Sequence, residues 1–187
     1  MPYTFTNNWF QSSNLCHLMS QYLHPNYTHK ILEIGCYEGA SACAFSDTVL
    51  DISDSELTCV DPFDIADKHS PLTNNTKTLF YNNIKQSKNY DKVTVKEMYS
   101  NDFFVTNTKK YSFIYIDGSH ELEDVKNDFI SSLKIIENNG IIWMDDYLGG
   151  DGINHHIKRV IDSVYETNKD KLTIIHKSYQ IAFLYKE

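Results

Sequence analysis

Two apolar runs that each stop at an acid constrain this chain most. Tyr111-Ser-Phe-Ile-Tyr-Ile-Asp117 leads into Gly118-Ser119-His120, and Gly140-Ile-Ile-Trp-Met-Asp145 leads into Asp146-Tyr147. Runs that stay apolar without alternating mark strands covered on both faces, as in parallel sheets. In an open parallel sheet, ligands sit beyond the carboxyl ends of the strands. Asp117, Asp145 and Asp146 are therefore expected to meet at one rim. Crowded carboxylates repel one another unless something positive sits among them. A divalent cation, a cationic ligand or both are expected there.

Upstream, His29-Lys-Ile-Leu-Glu33-Ile-Gly35-Cys-Tyr37-Glu-Gly39-Ala-Ser41 reads as strand, glycine turn and helix. Glycines let a backbone turn sharply and approach a ligand closely. The next strand, Leu57-Thr-Cys-Val-Asp61, ends in an acid roughly 20 residues on, where acids accept hydrogen bonds from ribose hydroxyls. Asp61 could equally cap the turn before Pro62. Glu38, between the two glycines of the turn, is expected at the surface.

The remaining pattern alternates strands and helices. Trp9, Phe10, Leu15, Leu18, Met19, Tyr22 and Leu23 mark an amphipathic helix over 9–23, ended by Pro25. Helices are expected over 39–50, 73–88, 100–107, 121–138 and 153–167, and strands over 56–61 and 92–97. Leu172–His176 and Gln180–Tyr185 read as a closing hairpin. The expected fold is α/β: a doubly wound, Rossmann-like three-layer sandwich. Its sheet should be mostly parallel with an antiparallel C-terminal strand, because the short last link is no parallel crossover. One domain over 1–187 is expected, with 1–28 as an N-terminal helical extension or lid.

The net charge of −8 and the lack of a Lys/Arg-rich stripe disfavour a nucleic-acid partner. No apolar run reaches a membrane span, and no basic-then-apolar leader opens the chain. Cys16, Cys36, Cys43 and Cys59 have no Cys-x-x-Cys or zinc spacing, so buried reduced thiols in a cytoplasmic protein are expected.

Glu33-Ile-Gly35-Cys-Tyr-Glu-Gly39-Ala-Ser41, Asp61-Pro-Phe63, Ile116-Asp117-Gly-Ser-His120 and Met144-Asp145-Asp146-Tyr147 together resemble the class I S-adenosylmethionine-dependent methyltransferases. The likeness covers about residues 29–187 and is to the small-molecule branch, which includes metal-dependent macrolide-sugar and catechol-type O-methyltransferases. It implies S-adenosylmethionine held by Glu33, Gly35, Tyr37, Gly39, Ser41 and Asp61, with Asp117 at the same site and Met98 and Ser100 bordering the adenine. In that branch Mg²⁺ lies between an acid ending the fourth strand and two residues ending the fifth, positions matched by Asp117, Asp145 and Asp146. Tyr37 stands where the middle glycine of the usual turn would be. The cofactor's sulfonium and ammonium suit an acidic pocket. A carboxylate-held cation would acidify and orient an acceptor hydroxyl. His120 is placed to act as general base, or simply opens a helix capped by Ser119. Asp117, His120 and Asp145 are thus the candidate catalytic residues.

The implied activity is O-methylation of a small-molecule acceptor, a sugar or nucleotide-sugar before a small phenol, with neither nucleic acid nor membrane as partner. A homo-oligomer would complete so short a chain's pocket. Two rivals stay open. A nicotinamide-dependent oxidoreductase would want G-x-G-x-x-G, where this chain has G-x-x-x-G. A non-catalytic nucleotide-binding subunit would keep the turn without using the aspartates.

Overall fold

A computed structural model describes residues 3–7, 10, 20–24, 26–64, 75–148 and 156–187. The helix expected over 9–23 falls largely outside these residues, as do the loop beyond Asp64 and the glycine-rich stretch after Leu148. Seven strands form a mostly parallel sheet flanked by helices, the Rossmann-like α/β fold expected. The chain divides into two compact units, Met1–Tyr99 and Ser100–Glu187.

In the first unit, β1 (Lys30–Ile34), β2 (Glu56–Val60) and β3 (Val93–Lys96) run parallel in the order β3-β2-β1. Ile31, Leu32, Leu57, Cys59 and Val60 are buried, as expected of strands covered on both faces. β3 instead alternates half-buried and exposed residues, the pattern of an edge strand. Helix α1 (Ala40–Thr48) starts directly after Gly39, and α2 (Thr76–Gln86) buries Phe80 and Ile84.

The second unit contains α3 (Ser100–Thr106), β4 (Tyr111–Ile116), α4 (Leu122–Ile135), β5 (Ile136–Met144), α5 (His156–Asn168), β6 (Leu172–Lys177) and β7 (Ile181–Tyr185). Its strand order is β4-β5-β7-β6. β4 and β5 are parallel, while β7 runs antiparallel to both β5 and β6. The closing hairpin therefore forms as expected. On β7, Phe183 stacks on Phe129 of α4 at 5.1 Å and on Tyr165 of α5 at 5.5 Å. Two helices are thereby fastened to the last strand through one aromatic ring.

One boundary differs from expectation. The helix predicted to reach residue 138 ends at Ile135, and β5 begins at once. Tyr111 pairs with Ile136 but Phe113 with Ile141, so the intervening residues of β5 bulge out of register. Asn139 takes a positive φ of 62° inside the bulge. At Gly140 an added Cβ would lie 2.7 Å from Ile136 Cδ1 and 2.8 Å from the Glu137 carbonyl oxygen. Ile135 and Ile136 extend the helical apolar pattern by sequence, but the chain leaves the helix at Ile135 and enters the bulged strand at Ile136. Among the described residues no helix is long and apolar enough to cross a membrane.

Candidate functional site

Each unit places one cluster of predicted site residues at strand ends. In the first, the chain leaves β1 through Gly35 (φ 82°), Tyr37 (φ 47°) and Gly39 (φ 84°) before entering α1. Three left-handed residues within five tighten the turn, and Tyr37 pays a conformational cost that glycine would not. Asp61 holds this geometry. Its Oδ2 accepts from the backbone N–H of Cys36 at 2.8 Å and of Tyr37 at 3.0 Å, and its Oδ1 from that of Phe63 at 2.7 Å. Burial raises the Asp61 pKa, against the three N–H groups that favour the anion. The bond to Phe63 is the cap expected before Pro62, and the other two fasten the glycine turn to β2. Gly39 is needed for a second reason: a Cβ there would meet the Phe80 ring at 3.0 Å.

Glu33 lies beneath the turn and is fully buried. Its carboxyl accepts from the Ser41 hydroxyl and, at 3.6 Å, from the Cys59 thiol. Cys36 donates to the carbonyl oxygens of Glu33 at 3.9 Å and Val60 at 3.7 Å. Glu33 and Ser41 thus brace the turn from below. Glu38, expected at the surface, is buried instead, because residues of the N-terminal segment cover it. Cys36, Cys43 and Cys59 are free, buried thiols, as predicted; Cys16 lies outside the described residues.

Burial raises the Glu33 pKa from 4.5 to about 8, opposed by the hydrogen bonds from Ser41 and Cys59. The native carboxyl therefore keeps its proton where the unfolded one has lost it. Stability contributed by that proton is complete below the unfolded value and is lost as pH rises through the folded one. Urea unfolding at pH 5 and pH 8 should show a larger loss across this window for the wild type than for Glu33→Gln. Equal losses would mean that Glu33 titrates normally.

Met98 is half-buried just after β3. Ser100 opens α3 and hydrogen-bonds the Asp128 carboxyl, which burial pushes up to about 6.

In the second unit, Asp117, His120, Asp145 and Asp146 line one small depression floored by Ile116 and Met144. The continuous runs of β4 and β5 bring the acids there, as the sequence predicts. Two tyrosines complete the cluster. Tyr115, buried on β4, places its hydroxyl 2.6 Å from Asp145 Oδ2 and 3.2 Å from Asp117 Oδ2. Tyr179, from the β6–β7 turn, donates to Asp146 Oδ1 at 2.6 Å. His120 Nε2 lies 2.7 Å from Asp146 Oδ2. His120 precedes helix α4, while the Ser119 hydroxyl accepts from the Glu121 N–H at 3.1 Å. The helix N-cap is Glu121 and no side chain caps it, so the bond to Ser119 belongs to the preceding turn and is not the cap expected. Asp146 itself takes a positive φ of 55°, which turns its carboxylate toward these partners.

The adjacent acids are driven apart electrostatically. Burial and the Asp146 charge raise the Asp145 pKa, against the Tyr115 hydroxyl. For Asp146 burial is outweighed by the hydrogen bonds of His120 and Tyr179, which hold it below the usual carboxylate range. Tyr147 is buried and donates to Asp162 on α5 at 2.9 Å, so it serves packing.

Among the described residues, one trio brings ligand atoms within 4.8 Å of one another: Glu33, Cys36 and Cys59. Those atoms already satisfy one another and the backbone. Asp117, Asp145 and Asp146 share their depression less tightly, with Tyr115 between the first two and Asp146 turned to His120. Their all-oxygen donor set fits a hard divalent cation. A raised pKa at Asp145 is the condition that such a cation would relieve.

Residues 32–147 match a family model described as a methyltransferase domain. A search of curated proteins gives no match. Solved structures agree in fold at low identity. The O-methyltransferase TomG from Streptomyces achromogenes, involved in tomaymycin synthesis, is 15% identical with a TM-score of 0.67, over 92% of this chain and 78% of that one. A putative rRNA-methylase from Clostridium thermocellum is 11% identical with a TM-score of 0.70, over 98% of each chain. CalS11, a TDP-rhamnose 3'-O-methyltransferase of calicheamicin biosynthesis, is 9% identical with a TM-score of 0.63, over 93% of this chain and 79% of that one. The fold shared with these structures agrees with the family model: the chain belongs to the methyltransferase-domain family.

Proposed function

We propose that this protein is an O-methyltransferase that moves the methyl group of S-adenosylmethionine to a hydroxyl of a sugar, a nucleotide-sugar or another small polar molecule, with help from Mg²⁺. The observation that carries this reading is the cluster of Asp117, Asp145, Asp146 and His120 in one depression. Asp117, Asp145 and Asp146 would hold the cation, which when bound lowers the pKa of a ligated hydroxyl. His120 would take the acceptor proton. An imidazolium formed there meets the Asp146 carboxylate at 2.7 Å, and Tyr179 fixes that carboxylate from its other oxygen. In the first unit, Gly35, Tyr37, Gly39 and Asp61 would cradle the cofactor, with Met98 and Ser100 toward its adenine.

Free buried thiols support a reducing compartment such as the cytoplasm. The N-terminal 28 residues would serve as a lid on a single catalytic domain, and a second copy of the chain would complete the acceptor pocket.

Transfer of labelled methyl from S-adenosylmethionine tests the acceptor class, with sugars, nucleotide-sugars, catechols, RNA and DNA offered in parallel. Methylation of a small hydroxyl acceptor is expected. The net charge of −8 argues against a polyphosphate backbone as substrate. Robust turnover on RNA, with none on small acceptors, would overturn the reading.

A further inference from the structure

We propose that residues 3–7 form a strap whose docking onto the Tyr37–Gly39 turn is thermodynamically coupled to cofactor binding; this rests on the turn being the cofactor cradle. Glu38 is 1% exposed and Asn83 fully buried. The two oxygens of Glu38 accept separately from Thr6, Oε2 from its N–H and Oε1 from its hydroxyl, both at 2.6 Å. Asn83 uses its amide as a strand would use a peptide group. Its Oδ1 accepts from the Thr4 N–H and its Nδ2 donates to the Thr4 carbonyl, both at 2.9 Å.

The same Asn83 Nδ2 donates to the Glu38 carbonyl at 2.9 Å. One buried amide therefore ties strap and turn together. At the rim, Asn7 Nδ2 donates to the Tyr37 hydroxyl at 3.1 Å. Tyr3 adds an anchor on α1, its hydroxyl donating to Asp47 Oδ2 at 2.6 Å.

The physical consequence concerns a buried acid. If the strap lifts, the Glu38 carboxyl loses both donors and the cover that buries it, and residues 37–39 lose their ties to the N-terminal segment. The backbone of Glu38 lies between Tyr37 at φ 47° and Gly39 at φ 84°. Release of Glu38 and Tyr37 from Thr6 and Asn7 therefore loosens the left-handed pair on which the turn depends. Anything that binds the ordered turn then favours the docked strap. By reciprocity, the docked strap favours that ligand by the same factor.

Hydrogen exchange on the full chain, with S-adenosylhomocysteine as the probe, tests this. Exchange at the Thr4 and Thr6 amides should slow when the probe is added. Thr6→Val removes the hydroxyl donor from an exposed position and should weaken probe affinity about 5- to 10-fold, within the usual range of coupling between sites. Circular dichroism confirms that the variant is folded. Binding to the wild type with unchanged exchange at Thr4 and Thr6, or with equal affinity in Thr6→Val, overturns the coupling. Failure of the wild type to bind the probe at all overturns the cofactor reading, and the coupling with it.

Discussion

Asp145→Asn should lower methyl transfer to the true acceptor about 100-fold, the scale expected when a metal's charge stabilisation is lost. The substitution is close to isosteric. The amide oxygen it introduces can still accept from the Asp146 N–H, as Asp145 Oδ1 does at 2.7 Å, and the Tyr115 hydroxyl can reverse its bond. The fold should survive while the ligand charge goes. Initial rates at saturating S-adenosylmethionine, with Mg²⁺ titrated, provide the measurement. Excess Mg²⁺ should recover part of the variant's rate, and chelation of the wild type should reproduce the defect. Full turnover in excess EDTA, or in an Asp145→Asn, Asp146→Asn double variant, would show that these acids serve another purpose. His120 would then be left as base without a metal.

A second large effect is expected at Asp61. Asp61→Ala removes the acceptor of three backbone N–H groups, those of Cys36, Tyr37 and Phe63. Hydrogen bonds to a charged group are worth about 1.5–3 kcal/mol. With the cradle released and the acceptor for the ribose hydroxyls gone, calorimetry with S-adenosylhomocysteine should show affinity weaker by roughly 10- to 150-fold. A lower melting temperature should accompany it, since the turn loses its tie to β2. Unchanged affinity would remove Asp61 from the cofactor site.

The strands that carry the acids were readable because a strand covered on both faces writes its burial into an unbroken apolar run. The glycine turn was readable because Gly35 and Gly39 flank the strand-to-helix change and both take positive φ. Tyr115 and Tyr179 were not. Tyr115 looks like one more core residue within Tyr111–Ile116, and nothing local says that its hydroxyl emerges between Asp117 and Asp145. Tyr179 reaches Asp146 from 33 residues away, a proximity set by strand order. Glu38 was misplaced for a similar reason. A glutamate in a turn is ordinarily solvated, and its burial depends on Thr6, 32 residues earlier. The bulge in β5 was hidden because Ile135 and Ile136 continue the helical period of α4.

The place of β7 has a consequence for how the protein is made. It lies between β5 and β6, so a strand made after both of its neighbours fills an interior position. Until it emerges, β5 lacks its second neighbour, and Phe129 and Tyr165 lack the ring on which they stack. Tyr179 also reaches Asp146 only once the β6–β7 turn has formed. At about 5–20 residues per second, a nascent second unit passes through an interval with an open, apolar sheet edge. During that interval, binding by a chaperone would compete with pairing to another chain.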